Sequence, residues 1–493
     1  MFKLRALSLM TIFATILLTC VVAFAQHEGG GGVTSDSANS SDANRGSVRI
    51  RRAPTRPTGV RRPPAAPARR GLTAEQYNQQ GDTLFTAEQY DEALEAYNKA
   101  VQLKPIAGAF YHLGWIYNER EQYEQAVTAL QQAIRLTPKN ADALYELGFA
   151  YRNLKRHDEA LLAYAATITL DPTKTRAYYE IGWIYNEKKL YAQAVSPLRQ
   201  AITLQPNYAE AHSELGFAYR KLGRYQEAIS AYRQAIAAKT DYASPYFGLG
   251  DVYFYNTSQY PEAIDAYNNA LAIQPNNATA NYNVGWSHNE LKQFSQAVTA
   301  LQKAVAQKAD YYEAYAELGF AYRKLEQFDA ALRSYNTAIS LKPDYAQPYF
   351  GLGDLYYYNL SRYEDAIVAY QQALRLKPNN AAANYNIGWS MNDLNRNGEA
   401  IAPLREAVRI KPEYAEAYQE LGYAYLQTQR YNEAITSFNE AVRIKPDYAL
   451  AYYNLGITYL AVNDKRKANE QYRILQRLDQ DRATKLYALI NKR

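Results

Sequence analysis

Between Leu72 and about Gln480 the apolar positions follow helical spacing in pairs of segments. In the stretch beginning at Ala209, Leu215 and Tyr219 mark one segment, and Ala228, Tyr232 and Ala235 mark the next. Residues three, four and seven apart share one side of a helix, so each pair predicts two amphipathic helices joined by a short turn. A small residue recurs within the first segment of every pair, at Gly81, Gly114, Gly148, Gly182, Gly216, Gly250, Gly285, Gly319, Gly353, Gly388, Gly422 and Gly456. The period is roughly 34 residues. Proline falls where the second segment must stop, at Pro138, Pro172, Pro206, Pro275, Pro343, Pro378, Pro412 and Pro446. Asn207, Asp344 and Asp447 follow and are expected to cap the next helix.

A second period lies over the first. Thr175 to Asn277 recurs as Ala278 to Asn380, 103 residues on, with GWIYN, GFAYRK and GDVYFYN answered by GWSHN, GFAYRK and GDLYYYN. The units of Gly250 and Gly353 are one residue longer, and the extra residue is expected in their turns, Asn256 to Tyr260 and Asn359 to Tyr363. Their Pro245 and Pro348 suit a first helical turn. Pro197 and Pro403 fall inside second helices, where bends are expected.

The order L-G-x-x-Y, then A-x-x-x-F or Y, then P resembles the tetratricopeptide repeat, and twelve such units run in phase. The resemblance implies an all-α fold, a right-handed superhelix (an α-solenoid) of helix-turn-helix repeats. No unit can bury its apolar faces alone, so the stack must be continuous and its ends need polar caps. Residues 72–479 are read as the twelve repeats and 480–493 as a capping helix bearing Leu486, Leu489 and Ile490.

The N-terminus is different in kind. Residues 1–25 carry Lys3 and Arg5, an apolar run from Ala6 to Val22 and then Ala23-Phe24-Ala25, the plan of a secretory signal peptide; a retained membrane anchor is the alternative. Export to a periplasmic, extracellular or envelope location follows. Cys20, the only cysteine, lies in that run, so a processed chain has no thiol chemistry. Residues 26–71 form a linker expected to be disordered, rich in Gly and Ser and then in Arg and Pro. From Arg45 to Arg70 there are nine Arg, five Pro and no acidic residue, a composition suited to a spacer or to an anionic envelope surface.

Charge narrows the partners of the repeats themselves. The first 71 residues hold 11 Lys and Arg against 3 Asp and Glu, which leaves 44 against 46 for the rest. The repeat body therefore has no general nucleic-acid footprint. Five histidines (His27, His112, His157, His212, His288) show no recurring ligand spacing, and no phosphate loop or nucleophile elbow is present. No catalytic residue, metal or cofactor is expected.

One stripe stands apart from the Leu and Gly side of the first helices. Trp115, Phe149, Trp183, Phe217, Trp286, Phe320 and Trp389 directly follow the repeat glycine. Tyr179, Tyr282 and Tyr385 lie one helical turn before this position, and Asn118, Arg152, Asn186, Arg220, Asn289, Arg323 and Asn392 lie three residues after it. Asp251 and Asp354 replace the aromatic in the two longer units. The tetratricopeptide resemblance implies that this face lines a concave groove for an extended protein or peptide segment. A glycan stacked on the rings and a passive spacer remain as alternatives, and packing between repeats is the competing use of the aromatics.

Overall fold

The computed structural model describes residues 71–491. The signal-peptide and linker readings therefore lie outside the described residues. Within them the chain forms 25 α-helices and no strand. By their internal contacts the residues fall into two compact units, one ending at Thr240 and one beginning at Asp241. Five helix pairs make up the first unit; seven pairs and a terminal helix make up the second.

A typical pair is Ala141–Asn153 followed by His157–Leu170. The two helices of each pair are brought together at the repeat glycine. A β-carbon on Gly148 would meet the Tyr164 ring at 2.7 Å, and one on Gly182 would meet Leu198 at 2.4 Å. The same contact recurs with Tyr, Leu or Phe of the second helix in every other repeat but the last, and Tyr164, Leu198, Leu301 and Phe438 are fully buried by it. Alanines on the second helix, such as Ala93, Ala126 and Ala160, are also wholly buried, because only a methyl fits between such closely spaced backbones.

The turn inside each pair has one residue at positive φ. Lys155, at φ 60°, is typical. Its N–H donates to Arg152 O at 2.9 Å and the Arg156 N–H donates to Tyr151 O at 2.8 Å, which is the Schellman closure of a helix C-terminus. Glycine is the residue that takes this conformation without strain, yet only Gly223 supplies it here.

The longer units correct the sequence expectation. The extra residue is taken up before the turn, in π-helical segments Val252–Asn256 and Leu355–Asn359. Thr257 N–H donates to Val252 O, and Leu360 N–H to Leu355 O, both at 3.1 Å and five residues back. Capping differs as well. Asn207, Asp344 and Asp447 stand one residue before the cap, which is Tyr208, Tyr345 or Tyr448 with no side-chain capping bond. Thr73, Asn140, Asn277, Asn380 and Asp464 cap their helices through the side chain instead. Pro197 and Pro403 sit within continuous helices, Tyr191–Leu204 and Asn397–Ile410.

The terminal helix Gln480–Asn491 closes the second unit. Leu486 and Ile490 are buried, and Leu486 takes the place against Gly456 that a second-helix residue holds in the other repeats. Leu489, expected on the same face, is 41% exposed.

Two stability outcomes follow. Gly148→Ala gains about 1 kcal/mol of helix propensity but drives a β-carbon into a fully buried ring, an overpacking cost of about 1–3 kcal/mol. A net loss in urea denaturation is expected. Lys189→Gly relieves a non-glycine residue at φ 59° and is expected to raise stability by about 1 kcal/mol, whereas Lys189→Val lowers it.

Candidate ligand face and the links between repeats

The asparagines of the stripe are not free. Asn118, Asn186, Asn289 and Asn392 are all buried, and each Nδ2 donates twice to a glutamate of the next repeat, 28 residues on. Asn118 reaches Glu146 O at 3.1 Å and Oε2 at 2.9 Å. Asn186 binds Glu214, Asn289 binds Glu317 and Asn392 binds Glu420 with the same geometry. The four Oδ1 atoms are buried and unpartnered. These residues therefore serve as polar links between neighbouring repeats.

At Arg152 and Arg323 the link becomes an ion pair. Arg152 Nη1 donates to Glu180 Oε2 at 2.6 Å, with only 8% of the glutamate side chain exposed. Its guanidinium lies 5.0 Å from the Phe149 ring centre and 5.4 Å from that of Trp183. Arg323 donates to Asp354 at 3.3 Å and lies over Phe320. Arg220 lies over Phe217, joined there by Lys221.

In the two π-bulged repeats the link comes from a tyrosine one residue further along. Tyr255 donates to Asn283 Oδ1 at 3.2 Å and Tyr358 donates to Asn386 Oδ1 at 3.3 Å. Asn283 Nδ2 in turn donates to Tyr267 Oη, which donates to Asp251 Oδ1 at 2.8 Å. Asn386, Tyr370 and Asp354 repeat the chain of bonds. Asp251 and Asp354 are thus engaged by the core tyrosines.

The aromatics that follow the glycines pack on the preceding repeat and stay half-buried. Trp115 meets Phe85 at 4.9 Å, Trp183 meets His157 at 6.3 Å, Trp286 meets Phe254 at 5.0 Å and Trp389 meets Tyr357 at 5.5 Å. Phe149, Phe217 and Phe320 lie edge-on to Tyr123, Tyr191 and Phe294. Tyr179, Tyr282 and Tyr385 pair with Tyr208, Tyr311 and Tyr414 of the next repeat. Tyr385 is buried, whereas the other two keep part of their surface. Every ring of the stripe is consequently fixed in orientation by a neighbour, and the Trp and Phe rings keep an accessible part.

The glutamates of the links were not singled out in the sequence. A signal existed, because Asn three residues after the aromatic is followed each time by Glu two residues before the next repeat's glycine. Burial raises the pKa of Glu146, Glu214, Glu317 and Glu420, with the asparagine amide opposing it; Glu420 is pushed up to about 7. Among the described residues no cluster of metal-ligating side chains occurs, and no helix is long and apolar enough to cross a membrane.

Repeat glycine, helix pair and turn recur through twelve repeats. One family profile, described as TPR repeat, matches residues 114–155, 182–223, 217–256, 254–288, 320–359, 357–392, 390–429 and 422–463, more than half the chain. The chain belongs to the tetratricopeptide repeat family. Profiles described as tetratricopeptide repeat match 74–106, 141–174 and 278–311. No curated protein matches at a significant level. Among solved structures, YrrB, a TPR protein with an unusual peptide-binding site, is 24% identical over 35% of this chain and 89% of its own, with TM-score 0.33. MamA is 25% identical over 32% and 94%, with TM-score 0.32. Yeast Tom70 is 15% identical over 84% and 94%, with TM-score 0.33.

The raised glutamates set a pH dependence. A carboxyl whose pKa is higher folded than unfolded binds protons more tightly when folded, so stability falls as pH rises between the two values. Denaturation midpoints are expected to drop from pH 4.5 toward about 7, and Glu420→Gln flattens its share of that slope. Asn392→Ala, which removes both bonds to Glu420, is expected to cost about 1–3 kcal/mol at pH 8 and less at pH 5.

Proposed function

We propose that this tetratricopeptide protein is an exported, non-enzymatic scaffold whose Gly-following aromatic face binds an extended protein segment. A tetratricopeptide array is suited to protein–protein interaction or assembly. The observation that carries the finer reading is the row of half-buried rings, Trp115, Phe149, Trp183 and Phe217 in one unit and Trp286, Phe320 and Trp389 in the other. Held by rings of the preceding repeat, these rings lose little freedom on binding, so a segment packing on them meets a preorganised surface. Arg152 and Arg323 are tied to carboxylates, so they act by placing rings and links. The accessible phenols and ring faces supply the contact. Export rests on residues 1–25 and on the absence of cysteine beyond Cys20.

The four tryptophans all lie in this row, so their emission reports it. Titration of the protein with peptide and oligosaccharide libraries is expected to shift the emission with peptides. Trp183→Phe and Trp286→Phe should weaken binding several-fold while leaving the helix content unchanged. A shift with oligosaccharides alone, persisting in high salt, would transfer the face to an envelope polysaccharide. Emission that answers to neither class removes the ligand role and leaves the row as packing.

A further inference from the structure

Three positions that are apolar or aromatic in most repeats turn polar together in one of them. Four residues before the repeat glycine most repeats carry tyrosine, such as Tyr178, Tyr246 and Tyr315, yet Asn281 stands there before Gly285. Three residues after the glycine Tyr185, Tyr253 and Tyr322 are typical, yet His288 takes that place. The second helix ends on Leu, Ile or Ala in the other repeats and on Gln307 in this one. All three residues line one cavity of about 590 Å³, bounded by the helices Tyr260–Ile273, Ala278–Glu290 and Phe294–Gln307 of the second unit. Asn281 is buried. Its Nδ2 donates to Asn277 O at 3.1 Å and to Gln307 Oε1 at 3.3 Å, which leaves Oδ1 as an acceptor. Gln307 Nε2 donates to Pro275 O at 3.0 Å. His288 Nδ1 lies 2.7 Å from Gln293 Oε1, which leaves Nε2 for a ligand. Asn268, Asn276 and Gln296 add further amides and Lys303 adds a cation; among the described residues no carboxylate lines the cavity. None of the rings of the aromatic face lines it either. In the copy 103 residues on, Met391 and Ile410 stand for His288 and Gln307, and Glu399 and Glu406 for Gln296 and Lys303. The amide lining is therefore confined to one repeat, which suits a compact ligand rather than an extended chain.

We propose that this cavity binds a compact polyhydroxylated molecule of mono- or disaccharide size, at a site separate from the aromatic face. Its volume falls within the range of small-ligand pockets, about 300–1,000 Å³. Amide side chains both donate and accept hydrogen bonds, which matches hydroxyl groups that do the same. Leu271, Pro275 and Val284 give the C–H face of a sugar ring an apolar contact. A strongly anionic ligand would meet a single lysine, and a cationic one would meet no carboxylate.

The test is isothermal titration calorimetry with glucose, galactose, N-acetylglucosamine, maltose and cellobiose. The wild type is compared with the double variant Asn281→Tyr with His288→Tyr and with Gln307→Leu. The double variant restores the residues that the array itself uses at these positions, so it fills the cavity and is expected to keep its helix content. At least one sugar is expected to bind the wild type and to bind both variants about tenfold more weakly, as the removal of hydrogen-bonding groups implies. Gln307→Leu changes an exposed helix end, so it carries the test if the double variant misfolds. Heat from none of the sugars, or equal affinity in the wild type and the variants, would overturn the proposal. Peptide-induced shifts of tryptophan emission should survive in both variants. If sugar and peptide binding fall together, the two share one site and the separate cavity site is ruled out.

Discussion

The contact on which everything else depends is the one made possible by a missing β-carbon. In every repeat a glycine of the first helix lies so close to a Tyr, Leu or Phe side chain that even a methyl group has no room. That proximity sets the spacing of the helix pair, which in turn requires alanine along the second helix and leaves the large side chain wholly enclosed. Its identity also follows the residue beside the glycine. Where Trp follows, Leu fills the slot (Leu130, Leu198, Leu301, Leu404); where Phe or Asp follows, Tyr fills it (Tyr164, Tyr232, Tyr267, Tyr335, Tyr370). Core and stripe are thus chosen together, although they lie on different sides of the first helix.

A helix pair so formed is incomplete, because its outer faces remain apolar until a neighbour covers them. The links across that boundary are chemically varied but each reaches the residue two before the next repeat's glycine or its neighbourhood: amide to carboxylate, guanidinium to carboxylate, phenol to amide. A buried ion pair such as Arg152 with Glu180 returns little net stability after desolvation. Its use is geometric, since it fixes the register of one repeat on the next and holds two aromatic rings against a cation. The aromatic face is a by-product of this stacking. Its rings point where they do because the preceding repeat leaves them no alternative.

The repeat phase, the helix pairs and the closing helix were legible in the sequence because glycine, alanine and proline recur at fixed distances and each has a steric reason. The extra residue of the longer units was legible as an insertion but not as a π-helical segment, since the choice between a longer turn and a wider helix depends on packing around Val252 and Leu355. The capping expectation for Asn207, Asp344 and Asp447 failed because Tyr208, Tyr345 and Tyr448 take the cap position itself. Treating Asn118 and its equivalents as ligand groups missed their partners, which belong to the following repeat. Reading each unit alone hides contacts that exist only between units.

The buried glutamates have a mechanical side. Each lies at a boundary between repeats, so a proton gained or lost there changes the coupling between neighbours more than the stability of any one pair. In a linear array the ratio of those two quantities sets how many units open together. Protonation lifts the desolvation cost of these buried carboxyls, whereas ionisation strengthens the asparagine bond but restores that cost, so pH acts at the boundaries between repeats. Within each unit the same helix pairs can then open in longer or shorter stretches according to pH.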